Sequence, residues 1–194
     1  MQQWIFRDLS LTWEQGKSYA ITGPNGSGKS TLTSVLMGLS LPTKGKVSYK
    51  LHGKAIEADQ WYRHLNLAAP YQELVEEFTL QELLSFHFQF KKIKEGCSLS
   101  DLLEIMYLKE ARNKTIRAFS SGMKQRLKLG LAFYSEGEVL FLDEPTSNLD
   151  DRAKQWYHQQ LGLVTNNRLV VIASNDPAEY AGCETILNVA DYCS

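Results

Sequence analysis

The run Gly23-Pro24-Asn25-Gly26-Ser27-Gly28-Lys29-Ser30-Thr31 constrains this chain more than any other, because it dictates a local fold and a ligand together. Its form is G-x-x-x-x-G-K-[ST]. Glycines at 23, 26 and 28 let the backbone curl until successive N–H groups point inward at one anion. Lys29 then reaches the β- and γ-phosphates of a nucleotide, and the Ser30 hydroxyl can sit on Mg²⁺. Such a loop works between a strand and a helix. The apolar Ser18–Thr22 before it reads as a buried strand. Thr31 to Leu39 after it reads as a helix whose positive dipole end faces the phosphates. The expectation is a nucleoside triphosphate held on an α/β scaffold.

Composition narrows the class of partner. The 194 residues suffice for one substantial core with room for an inserted subdomain. A formal net charge of −1 supplies no global field toward nucleic acid or acidic lipid. No apolar run approaches the roughly 18 residues of a membrane helix. Val139–Leu142 and Leu169–Ala173 are only strand-sized. The opening Met1–Asp8 lacks the basic and apolar regions of a signal peptide. Cys97, Cys183 and Cys193 are odd in number and widely spaced, which speaks against a disulfide framework or metal site and fits a reducing cytoplasm. Neither a nucleic-acid partner nor direct membrane insertion is expected, so any membrane role runs through another protein.

Two hydrophobic periods alternate along the chain. From Gly45 to about Ala69 there are short alternating runs, with Val47, Tyr49 and Leu51 on one face and a turn at His52-Gly53, predicting a small antiparallel layer that continues the first strands. From Thr79 the period becomes helical. Thr79 with Glu82 makes a capping box, and Leu80, Leu83, Leu84, Phe88 and Ile93 recur on one face. Ser98 and Asp101 cap a second predicted helix reaching Leu108. Residues 75–118 therefore read as a helical insertion. Helices are predicted over Ser121–Tyr134, Asp151–Leu163 and Pro177–Ala181, and strands over Val139–Leu142, Leu169–Ala173 and Thr185–Val189. Strands alternating with helices point to a parallel sheet covered on both faces.

Val139-Leu140-Phe141-Leu142-Asp143-Glu144 ends an apolar strand in two carboxylates. A strand buried on both faces emerges beside the glycine loop, at the edge where α/β sheets place their ligands. Asp143 is then suited to hold Mg²⁺ and Glu144 to polarise an attacking water. The plainer reading is a solvated acidic turn.

Phe119-Ser120-Ser121-Gly122-Met123-Lys124-Gln125-Arg126, just before that strand, is similar to the signature of the ATP-binding cassette (ABC) family. The order of glycine loop, helical insertion, signature, Asp-Glu strand and Ser147-Asn148-Leu149-Asp150 resembles that family over nearly the whole chain. The family signature is Leu-Ser-Gly-Gly-Gln, so Phe119, Ser121 and Met123 depart from it while Ser120 and Gly122 keep the hydroxyl and the bare backbone. Independently, Ser120 at a helix N-cap presents a hydroxyl and free N–H groups to an anion. The resemblance implies an ABC ATPase fold over residues 1–194: an α/β P-loop NTPase, mostly parallel, with an antiparallel β layer and a helical insertion. It implies ATP and Mg²⁺ as ligands, bound by Gly23 through Thr31 and, from a second cassette, by Ser120, Ser121, Gly122 and Met123. It further implies a homodimer or heterodimer of cassettes closing head-to-tail on two ATP molecules. Ser147 and Asp150 match the family's D-loop at that interface; Asp150 also reads as the N-cap of the helix from Asp151.

Three positions depart from the family pattern. A His normally follows the last core strand to contact the γ-phosphate, and Asn175 stands there, able to donate a hydrogen bond but not to take up a proton. His52, His64, His87 and His158 read as surface or packing residues. The family's Q-loop glutamine falls by count at Pro70 or Tyr71, which leaves Gln72 one or two residues late for contact with Mg²⁺ and water. The family's first strand, with its adenine-stacking aromatic, is expected to be missing, since Phe6-Arg7-Asp8-Leu9-Ser10-Leu11 already matches a later strand. Trp4 is the remaining aromatic candidate, with an edge-strand plug as its plainer role.

By resemblance, then, the chain is the ATP-hydrolysing subunit of an ABC transporter. It would be cytoplasmic and peripheral on the inner membrane face through a separate integral membrane permease. Its compact length resembles short bacterial cassettes that power exporters. The groove near Tyr71–Phe78, with Val75 and Phe78, is where the family docks its membrane partner; core packing is the alternative for each side chain. A non-transport ABC ATPase is the rival function. Slow hydrolysis is expected from Asn175 and weakened adenine contacts.

Overall fold

A computed structural model describes residues 4–193. The first apolar run becomes β1 (Ser18–Thr22), and the glycine loop turns it into α1 (Lys29–Leu36). The helix starts two residues earlier than its apolar pattern predicts, at Lys29, and Gly38 at φ +75° terminates it. Two short strands follow, β2 (Tyr49–Leu51) and β3 (Lys54–Ile56), joined through His52 and Gly53 at φ +49° and +78°. Both central residues being left-handed makes this the tight hairpin turn that suits strand twist. After α2 (Trp61–His64) come β4 (Leu65–Ala68), α3 (Leu80–Phe90) and α4 (Leu99–Ile105). Then α5 (Ser121–Tyr134), β5 (Val139–Asp143), α6 (Asp151–Val164), β6 (Leu169–Ala173), α7 (Pro177–Tyr180) and β7 (Thr185–Asn188) complete the order.

One sheet carries the strands in the order β4-β5-β6-β1-β7, every pair parallel. Residues of β5 and β6 are buried at each position, as their unbroken apolar runs require of a sheet covered on both faces. One face packs against α1 and α2 through Ile21, Leu32, Phe141 and Val171. The other packs Leu140, Leu142, Val170 and Ile172 under α5 and α6, and the same apolar cluster takes in Leu80, Leu84 and Leu102 from α3 and α4. Both predicted capping boxes form. Thr79 Oγ1 accepts from Glu82 N–H at 3.2 Å while Glu82 accepts from Thr79 N–H at 2.8 Å. Ser98 and Asp101 do the same at 3.1 and 2.8 Å. Each such cap is worth about 1 kcal/mol.

Two expectations fail near the N-terminus. Phe6–Leu11 is not a strand: Asp8 sits at φ +57°, and Arg7 N–H to Tyr192 O at 2.9 Å is the segment's link to a neighbouring backbone. A strand needs a ladder, and none is on offer. Phe6, Leu9 and Trp13 instead pack, partly buried, against the core, with Trp13 stacked on Tyr19 at 5.0 Å. For the same reason β2 and β3 pair only with each other, as a separate two-stranded sheet rather than a continuation of the first strands.

Candidate nucleotide site

The parallel sheet places β1 and β5 on either side of β6, so the glycine loop and the Asp143-Glu144 pair leave the same edge. The loop has the left-handed backbone its glycines permit, with φ of +141° at Gly23, +81° at Gly26 and +100° at Gly28. A Cβ at Gly23 would stand 2.6 Å from Ser27 Oγ, so sterics reinforce the dihedral demand. Lys29 is buried and curls over the loop, donating to Gly23 O at 2.9 Å and Pro24 O at 3.3 Å. Asn25, Gly26, Gly28, Lys29, Ser30, Thr31, Glu144 and Ile5 line a cleft of about 320 Å³.

Asp143 is 1% exposed and neither carboxylate oxygen has a hydrogen-bond partner. Burial pushes its carboxyl above the ordinary range, while the nearby Ser30 hydroxyl and Lys29 ammonium pull it back and Glu144 and Glu179 add to the rise. An unpaired buried carboxylate is costly unless a cation completes it. Ser30 beside it offers the hydroxyl that such a cation needs, so the donor set fits Mg²⁺. Ser27 Oγ is likewise buried without a partner, as is Gln72 Oε1. The curled amides and Lys29 match the anionic phosphates of a nucleotide, and the Asp143 carboxylate with the Ser30 hydroxyl matches its divalent ion.

Glu144 leaves the strand at φ +42°, a conformation worth about 1–3 kcal/mol of strain in a non-glycine residue. It is held there by its N–H to Ala173 O at 2.8 Å and by Ser147 N–H to its own carbonyl at 3.0 Å. That bend turns Glu144 into the cleft. Asn175, just past β6, donates its side-chain amide to Asn25 Oδ1 of the glycine loop. The counted γ-phosphate position therefore lies against the loop.

Other singled-out residues stand elsewhere. Gln72 closes a turn on Ala69 O at 3.2 Å and lines a neighbouring groove, not the phosphate cleft. Ser120 caps α5, accepting from Met123 N–H at 3.2 Å. Gly122 packs so near the D-loop segment that a Cβ there would meet Asn148 O at 3.2 Å. Ser120, Ser121, Gly122 and Met123 are absent from the lining of the chain's own cleft. Asp150 accepts from Ala153 N–H at 2.8 Å, so its N-cap reading holds, and Ser147 Oγ is buried without a partner. Trp4 is not on an edge strand; Lys44 Nζ sits 5.6 Å from its ring centroid. Phe78 is part-buried on the core and stacks edge-on against Phe86, whereas Val75 is 43% exposed.

Sequence reasoning missed three supports. Lys128, buried on α5, donates to Ala69 O at 3.1 Å and Pro70 O at 2.9 Å and so pins the segment that leads to Gln72. Glu179, 5% exposed, accepts from Thr146 N–H at 2.7 Å and braces the turn after Glu144. Ile5 closes one side of the cleft. A Lys between Leu127 and Leu129 on the helix was the one legible signal, for the first; the other two carry none.

Known proteins fit this geometry. The profile of the family described as "ABC transporter" matches residues 6–147. ATP-binding cassette sub-family A member 17 of Mus musculus is 33% identical over 183 residues, covering 91% of this chain and 10% of that protein. Nod factor export ATP-binding protein I of Rhizobium etli is 29% identical over 171 residues, covering 86% of this chain and 54% of that one. The chain thus spans about half or less of the length of these relatives. Among solved structures, a dimeric ATP-binding cassette in a post-hydrolysis state with ADP and Pi superposes with a TM-score of 0.80 at 21% identity, over 95% of this chain and 85% of that one, which is a likeness of fold. With its glycine loop, its Asp-Glu strand end and a profile match across most of its length, this chain belongs to the ABC transporter family.

Proposed function

We propose that the chain is the ATP-hydrolysing cassette of an ABC transporter, paired with a second cassette and driving a membrane permease by ATP-dependent closure. The observation that carries it is the convergence on one cleft of the glycine loop, Lys29, Ser30 and Glu144, with the unpaired Asp143 carboxylate beneath. The loop amides and Lys29 hold the triphosphate, Lys29 exchanging its two backbone carbonyls for phosphate oxygens. Ser30 and Asp143 would hold Mg²⁺, with Gln72 a further ligand from the adjoining groove. When bound, Mg²⁺ neutralises charge on the β- and γ-oxygens. Glu144 orients and polarises the attacking water, and Asn175 donates its amide to the γ-phosphate.

The signature residues Ser120–Met123 lie outside this cleft, and the D-loop Ser147–Asp150 adjoins them. Both are free to complete a partner's site, which supports a two-cassette assembly. Residues 75–118 would act as the helical subdomain that relays closure. Among the described residues no helix is long and apolar enough to cross a membrane, so a permease would supply that passage. The name of the Nod factor export relative supports export over import. Residues 71–78 stay the docking candidate, now with Tyr71 and Val75 rather than Phe78 as its exposed large hydrophobic members.

Glu144→Gln tests the reading. ATP binding should persist while steady-state hydrolysis falls by at least about a hundredfold. Undiminished turnover would remove Glu144 as the base. Pull-down from membranes then separates the transporter from the rival non-transport ATPase: a multi-spanning partner supports the first.

A further inference from the structure

Ile5 lies across the glycine loop. A Cβ added to Gly28 would come within 2.5 Å of Ile5 Cγ2 and 3.5 Å of Phe6 Cδ1, so Gly28 is bare where this segment rests on it. The segment is fixed. Arg7 N–H donates to Tyr192 O at 2.9 Å, and Phe6 packs into the same apolar cluster as Val189. Ile5 itself is 50% exposed and forms part of the cleft wall.

Of the residues lining the cleft, Ile5 is the one with an aliphatic side chain. Lys29, Ser30 and Glu144 suit phosphate and its ion; a sec-butyl group offers a phosphate nothing. The apolar portion of a nucleoside triphosphate is the sugar and base. Trp4, the neighbouring aromatic, is turned to Lys44. We infer that Ile5 forms the nucleoside-side wall of the cleft, packing on the ribose and base of the bound triphosphate in place of an aromatic ring. The inference rests on the cleft being a triphosphate site.

An aliphatic wall has no donor or acceptor with which to read a base edge, and no π-face on which to favour a purine by stacking. Selection therefore comes from the triphosphate, and ATP and GTP bind with similar affinity.

The test measures binding of ATP, GTP and inorganic tripolyphosphate, each with Mg²⁺, to the wild-type chain and to Ile5→Ala. Wild type should bind ATP and GTP within about threefold of each other, because the wall reads no base edge. Ile5→Ala should weaken both by roughly five- to tenfold, through lost apolar contact, and leave tripolyphosphate unchanged. Ile5→Val, which leaves the fold intact, should give a smaller loss in the same direction. Unchanged nucleotide affinity in Ile5→Ala and Ile5→Val overturns the assignment. So does an equal loss for tripolyphosphate, which would mean the loop itself had moved. Wild-type discrimination between ATP and GTP beyond about tenfold also overturns it. Failure of wild type to bind tripolyphosphate or ATP strikes instead at the triphosphate reading beneath it.

Discussion

The two ends of the parallel sheet both hold buried polar groups, and they treat them in opposite ways. At the N-terminal ends of the strands, Arg168 donates to Phe133 O at 2.8 Å and to Ser135 O at 2.6 Å. Asn66 donates to Ser135 O at 3.1 Å, Lys91 to Leu65 O at 2.6 Å, and His87 Nε2 meets Ser135 Oγ at 2.8 Å. His64 pairs with Glu138 at 2.7 Å beside them. Every one of these groups finds its partner within the chain. At the C-terminal ends, both Asp143 oxygens, Ser27 Oγ, Gln72 Oε1 and Ser147 Oγ have none. A satisfied buried network specifies the fold, and an unsatisfied one specifies what must arrive. Arg126 Nε, Tyr157 Oη and Glu179 Oε2 are also buried without partners, so the contrast distinguishes the two ends of the sheet, and the glycine loop places the ligand at the open one.

Disrupting the closed end should cost the most. Arg168→Ala leaves the Phe133 and Ser135 carbonyls without their charged donor and should destabilise the chain by about 3–5 kcal/mol, read as a lower denaturant midpoint. A loss below 1 kcal/mol would mean that this end is not held by its network.

The pH response comes next. Burial, aided by the charge of Lys91, drives the His87 imidazole down to about 4. An unfolded His titrates near 6.5. Between those values the unfolded chain holds a proton that the folded chain lacks, so stability falls as the pH drops through this window. The contribution is at most about 3 kcal/mol. His87→Gln should flatten the dependence of Tm on pH between about 6.5 and 4, which thermal melts across that range will check.

At the open end the sign reverses. Asp143→Asn removes a desolvated charge that has no partner and should raise the stability of the metal-free chain by about 1–2 kcal/mol, while abolishing the stabilisation that Mg²⁺ with ATP confers. Melts with and without Mg-ATP read both effects. A destabilised metal-free variant would place Asp143 with the satisfied groups. The smallest expected change is in turnover. Asn175→His should raise steady-state ATP hydrolysis by several-fold, under about tenfold, by adding an ionisable donor beside Asn25. Turnover unchanged or lower would remove the role given to that position.

Much of the site was legible because its chemistry fixes residue types at fixed spacing. Gly23–Thr31 and Asp143-Glu144 could be read directly, since a curled loop needs glycine and a buried strand end needs a reason to carry acids. Capping boxes at Thr79 and Ser98 were legible for a similar local reason. Phe6–Leu11 misled because its resemblance to a family strand says nothing of a ladder, and here only Phe6 and Leu9 of the segment pack, partly buried, on the core. Gln72 stayed ambiguous because loop length alone does not say where a side chain ends. Its amide oxygen is buried and unpaired, yet the residue lines the neighbouring groove.

Taken alone, the sequence determined the phosphate loop, the Asp-Glu strand end and the alternation of strand and helix, because each depends on contacts within a few residues. Only the tertiary structure decided which groups face one another across long separations. It set Asn175 against Asn25, Ile5 over Gly28, Lys128 on the carbonyls of Ala69 and Pro70, and the signature away from its own cleft. Those pairings follow from the strand order β4-β5-β6-β1-β7. That order is a property of how the whole sheet buries its two faces, and no local pattern encodes it.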